Sequence, residues 1–73
     1  MSKYAITCED VSYDGSEFQL VCEKDGVVMK QRTEYSFEDV LIDCYEFFRE
    51  CCEDFQIDTR FDSIVVNIVH ELP

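Results

Sequence analysis

The chain has 73 residues, of which 17 are Asp or Glu and 6 are Lys or Arg, giving a formal net charge of -11. Such a balance speaks against direct nucleic-acid binding and against docking on an anionic membrane, because both need basic faces. At 47% hydrophobic and 14% aromatic residues, the chain is also too apolar for a disordered acidic tail.

No apolar run approaches the ~18 residues of a membrane span, and Met1, Ser2, Lys3 and Tyr4 do not open a signal peptide. The expectation is a soluble cytoplasmic protein forming a single acidic α+β domain over residues 1–73. A chain this short hides only about 60% of its unfolded surface, so its stability margin is thin.

Segment 3–9 alternates, with Tyr4, Ile6 and Cys8 on one face and Lys3, Ala5, Thr7 and Glu9 on the other, as in a half-buried strand. Tyr13, Asp14, Gly15 and Ser16 form a turn signal, in which Asp-Gly supplies the positive φ. Alternation resumes over 17–24, with Phe18, Leu20 and Cys22 inward and Glu17, Gln19 and Glu23 outward. Asp25-Gly26 marks a tight hairpin. A third strand is expected over about 27–35, with Val27 and Met29 inward and Lys30, Arg32 and Glu34 outward.

Ser36 opens a helix: Ser36, Phe37, Glu38 and Asp39 form a capping box with Asp in the place of the usual Glu, and the acids suit the positive end of the dipole. No Gly or Pro interrupts the segment before about residue 55. At 100° per residue, Val40, Leu41, Cys44, Tyr45, Phe47, Phe48, Cys51, Cys52 and Phe55 fill an arc of roughly 160° centred near Phe37. Asp39, Asp43, Glu46, Glu50, Glu53 and Asp54 fall opposite that arc, and Ile42 is the one apolar residue outside it.

After a loop over 56–60, segment 61–72 reads as a β-branched strand. Ile64, Val66 and Ile68 share one face, while Val65, Asn67 and Val69 share the other. The element order is β-β-β-α-β. A right-handed return places the last strand parallel to the first, in sheet order 3-2-1-4. The fold class expected is therefore α+β, a mainly antiparallel four-stranded sheet with one helix on one face. The other face, with Ala5, Val21, Val65 and Val69, stays open.

Five cysteines without a C-x-x-C pair point to reduced thiols, with Cys8, Cys22, Cys44 and Cys51 at core positions as small hydrophobes. Adjacent Cys51 and Cys52 would close a strained ring, so they are not read as a redox pair.

Little in the sequence suggests catalysis. His70 is the only histidine, and it continues the inward phase of Ile64, Val66 and Ile68 at the end of the last strand. No carboxylate pair is set apart by an apolar surrounding, and no phosphate-binding or zinc-protease motif occurs. Asp10, Asp14 and Gly15 do not make a calcium loop, nor do Asp58 and Asp62. The reading is a non-enzyme with no cofactor and no metal.

The informative feature is the helix line. Asp39, Asp43, Glu46, Glu50 and Glu53 recur at alternating steps of four and three, about 4.5–6 Å apart over roughly 21 Å. An ordinary solvent face mixes Lys with Glu for attractive pairs, whereas here like charges adjoin, and acids also occupy the negative end of the dipole. Only Arg49 interrupts them. Asp39, Asp43, Glu46, Glu50, Glu53 and Asp54 are the candidate partner-binding residues, with Ile42 and Tyr13 beside them for specificity. Glu9, Asp10, Asp14 and Glu17 around the first turn, and Glu23 and Asp25 around the second, could extend the negative field.

In size, charge and layout the chain resembles the small inhibitor proteins of bacteriophages, among them anti-CRISPR proteins and DNA mimics such as the uracil-DNA glycosylase inhibitor. That resemblance implies occupation of a basic groove on a nucleic-acid-binding protein, a CRISPR effector or another nucleic-acid-handling enzyme, in the host cytoplasm. The six helix acids would then stand in for phosphates. The alternative expectation is a structural or assembly module, a homodimer formed through the open sheet face with Val21, Val65 and Val69, its acids serving solubility.

Overall fold

A computed structural model describes residues 2–11, 17–35 and 40–69. The strands are β1 (Lys3–Asp10), β2 (Glu17–Lys24), β3 (Val27–Tyr35) and β4 (Ser63–Val69), with one helix, α1 (Val40–Asp54), between β3 and β4. They form one four-stranded sheet in the order β3-β2-β1-β4. The β1–β2 and β2–β3 pairings are antiparallel, while β4 runs parallel to β1. The expected class and strand order are both found. The first turn, the capping box with Asp39, and His70 lie outside the described residues.

Period-two alternation in β1 and β2 builds one side of the core: Tyr4, Ile6, Cys8, Phe18, Leu20 and Cys22 are buried. From α1, Cys44, Phe47 and Cys51 close onto them, with Phe48, Phe55, Ile57 and Ile64 packed around. Each of the four core cysteines belongs to a contact between helix and sheet. Cys8 of β1 meets Cys44, and Cys22 of β2 meets Cys51. Burial foremost raises all four thiols, Cys51 to about 12, so they pack as neutral small hydrophobes.

The Asp25-Gly26 hairpin has φ of 51° and 87° at its two central residues, as a two-residue primed turn demands. The Asp25 carboxylate also accepts from the Lys3 backbone N–H at 2.9 Å, tying the turn to the start of β1. At the far end of α1, Ile57 N–H donates to the Cys52 carbonyl at 3.0 Å, and Gln56 N–H to that of Glu53 at 3.4 Å. Gln56 has φ 51°, so α1 ends in a left-handed C-terminal cap occupied by glutamine instead of the usual glycine.

The strand before the C-terminus begins at Ser63, two residues later than expected, because Asp58 and Asp62 fold 58–62 into a turn. Asp62 N–H donates to the Asp58 carbonyl at 2.7 Å, and the Asp62 carboxylate accepts from the N–H groups of Asp58 and Ser2. Ser63 N–H then donates to the Ser2 carbonyl, which sets β4 beside β1 in register.

The expected phase of β3 is overturned. The register shifts between Cys22 and Glu23, which face Lys30 and Val28, so Met29 is an extra residue in the ladder. A bulge of this kind reverses the faces that follow it. Lys30 and Arg32, opposite Cys22 and Leu20, therefore lie on the helix side, while Val27 and Met29 are exposed. The two cations survive there because β3 is an edge strand. Their charged heads lie over the Phe47 ring, with Lys30 Nζ and Arg32 Cζ at 6.0 and 5.7 Å from its centroid.

Candidate functional site

The cations of β3 determine what the helix acids can do. Arg32 grips Glu50 with both terminal nitrogens, one at 3.3 Å from Oε1 and the other on Oε2. Lys30 Nζ bridges Glu50 at 3.1 Å and Asp54 at 2.7 Å. Arg32 also reaches Glu34, at 3.7 Å. The Arg32 guanidinium, and after it the Lys30 ammonium, hold the Glu50 carboxyl below the usual glutamate value. Asp54 and then Glu50 raise the Lys30 ammonium. With no basic residue in its own last turn, α1 has its negative end compensated by the neighbouring strand.

The structure thus divides the predicted line. Glu50 and Asp54 are neutralised inside the molecule, and Asp39 lies outside the described residues. Asp43, Glu46 and Glu53 are left without an ion-pair partner among the described residues. Glu46 and Glu53, with Arg49 and Glu50, line a shallow open depression of about 290 Å³ on the flank of α1.

Nor does the line face directly away from the sheet. Phe47 and Cys51 point to the core, and at about 100° per residue the acids then fan out on the β3 side of the helix. Leu41, Tyr45 and Phe48 fan out on the β4 side. Leu41 and Tyr45, expected in the inner arc, are both 61% exposed. On that flank Leu41, Cys44, Tyr45, Phe48, Val66 and Ile68 line an apolar groove of about 330 Å³ between α1 and β4, which the sequence reading did not foresee. Its signal was present in the β-branched residues on both faces of the last strand.

A second concentration of charge comes from strand register. The end of β1, the start of β2 and the end of β3 meet, which gathers Glu9, Asp10, Glu17 and Glu34 at one end of the sheet. Asp43, in the first turn of α1, lies toward the same end, since the Arg32–Glu50 and Lys30–Asp54 pairs run the helix antiparallel to β3. Apart from Arg32, two residues before Glu34, no described lysine or arginine belongs to that end. Lys3, Lys24 and Arg60 lie at the opposite end, around the Asp25-Gly26 turn and the start of β4. Glu9, Asp10 and Glu17 thus lie at the end of the sheet where β3 finishes, whereas Glu23 and Asp25 lie at the other end, and Asp14 is outside the described residues.

Among the described residues, no group of three His, Cys, Asp or Glu side chains could hold a metal ion. No described helix is long and apolar enough to cross a membrane. The chain matches no protein-family model, no curated protein and no solved structure.

Proposed function

We propose that this chain is a non-enzymatic acidic binding protein that occupies the cationic, nucleic-acid-binding site of a partner protein, in the manner of phage anti-CRISPR proteins and DNA mimics. The observation that carries the reading is the polarity of the charge. Glu9, Asp10, Glu17, Glu34 and Asp43 share one end of a molecule of net charge -11, while the lysines and most arginines lie elsewhere.

A charge distribution of this kind orients the molecule as it approaches a basic groove and raises the encounter rate. A lysine or arginine engaged by these carboxylates is no longer available to a phosphate, so binding of the two polyanions is mutually exclusive. The contact acids of the helix are Asp43, Glu46 and Glu53, with Ile42 exposed beside them. Glu50 and Asp54 serve the fold, because removing them would strand Lys30 and Arg32.

The test is capture of partners from host lysate by the immobilised full chain at about 50 and about 500 mM salt, followed by competition with duplex DNA. A nucleic-acid-binding protein should be retained at low salt, released at high salt and displaced by the DNA. Asp43→Lys combined with Glu46→Lys should abolish its retention while leaving the circular-dichroism spectrum unchanged. Retention that ignores salt, DNA and both reversals would overturn the proposal.

A further inference from the structure

The two edges of the sheet are built differently. On β3 the edge is interrupted by the bulge at Met29 and carries Lys30, Arg32 and Glu34, features that discourage pairing with another strand. The β4 edge has none of them. Its seven residues, Ser-Ile-Val-Val-Asn-Ile-Val, include no charge and no proline, and its register with β1 runs unbroken from Ser63 to Val69. Among the elements of the described residues it is the only one without a charged residue.

Apolar side chains are exposed on both sides of this edge. On the helix side the α1–β4 groove exposes Leu41, Tyr45, Val66 and Ile68, and on the opposite side Val65 and Val69 are exposed.

We infer that β4 is a self-association edge, where a second copy of this chain pairs antiparallel with it to give an eight-stranded sheet. Three observations select a second copy as the occupant. First, two molecules of net charge -11 repel each other, and β4 is the approach on which neither presents a charge. A cationic partner, by contrast, would gain nothing on a strand without acids.

Second, a two-fold axis normal to the sheet near Val66 sets Ile64 opposite Ile68 of the other copy, so that like faces meet and both helices lie on one side. The two α1–β4 grooves then join into one apolar layer, the self-complementary surface that a two-fold dimer needs. Third, Leu41, Tyr45, Val66 and Ile68 on the helix side are between 47% and 61% exposed, so each copy offers the other an apolar surface there, part of which two-fold pairing of the edges would cover together with the main chain of β4.

This inference does not depend on the proposed function, and salt separates the two. Binding to a cationic partner weakens with salt, whereas a dimer joined through an uncharged edge between two acidic bodies tightens.

The experiment is sedimentation equilibrium of the full chain up to about 100 µM, the range suited to an interface of this modest size, at low and high salt. A dimer strengthened by salt is expected, and Val66→Lys should raise its dissociation constant at least tenfold. Glu46→Lys with Glu53→Lys should leave it intact. Hydrogen exchange of the unsubstituted chain provides a measurement independent of variants: the amides of 63–69 should gain protection as concentration rises. A monomer throughout that range, a dimer indifferent to Val66→Lys, or exchange at 63–69 independent of concentration would overturn the inference.

Discussion

Gln56 occupies a backbone conformation that side chains with a Cβ adopt at a cost, φ 51° at the end of α1. The cap is retained because two backbone hydrogen bonds, from Gln56 and Ile57, satisfy carbonyls of the last turn. Gln56→Gly removes the strain while adding some freedom to the unfolded chain, for a net gain of roughly 0.5–1 kcal/mol. Thermal unfolding followed by circular dichroism should show a midpoint raised by about 2–8 °C. Gly26, with φ 87°, shows the same demand already met by glycine. The Asp25-Gly26 turn was therefore legible from the sequence, whereas nothing about a glutamine announces a left-handed cap.

Among the elements, β1 and β2 were legible because each has one buried face and no interruption, so a single alternation fixes every side chain from Tyr4 to Cys8 and from Phe18 to Cys22. The reading of β3 failed at one residue. Met29 is the extra member of a bulge, and a phase started from Val27 comes out inverted at Lys30. For α1, periodicity gave the angle between apolar and acidic arcs. It could not say toward which edge strand the helix would roll, because that depends on Lys30 and Arg32 reaching Glu50 and Asp54 across the layer.

The joint between α1 and the sheet contains Cys8, Cys44, Cys22 and Cys51, all buried with raised thiol pKa values. Only the thiolate reacts readily. Labelling of the native protein with a thiol reagent at pH 8 should begin at Cys52, the one partly exposed cysteine, and the other four should react only as the protein unfolds. Rapid labelling of all five in the native state would show that the joint opens without global unfolding.

For the whole molecule, two opposing electrostatic effects set the response to pH. A folded chain of net charge -11 carries self-repulsion that an expanded chain relieves, so protonation of the surplus carboxylates favours the fold. The paired acids act in the other direction. Glu50, lowered chiefly by Arg32, Asp58, lowered by Arg60, and Asp62, lowered by the backbone N–H groups of Asp58 and Ser2, contribute stability above their unfolded values. That contribution is lost as pH falls through their lowered folded values.

Stability measured by urea unfolding should therefore rise from pH 7 toward about pH 5 and fall again below about pH 4. Added salt at pH 7 should reproduce the rise, since it screens the same repulsion. A profile that only declines from pH 7 downward would mean that the surplus carboxylates cost the fold nothing.

In the finished sheet β1 is flanked by β2 and by β4. Until Ser63–Val69 leaves the ribosome, a nascent chain can assemble β1, β2 and β3 but must keep the hydrogen-bonding groups of β1 that await β4 exposed to other molecules. The sheet is therefore completed only once β4 has been made, and refolding should be slow for so small a domain, because its decisive pairing joins strands 60 residues apart, as Lys3 with Ser63. A product cut short at residue 62 would be not a smaller version of this protein but a three-stranded fragment with an unfinished centre, prone to aggregate.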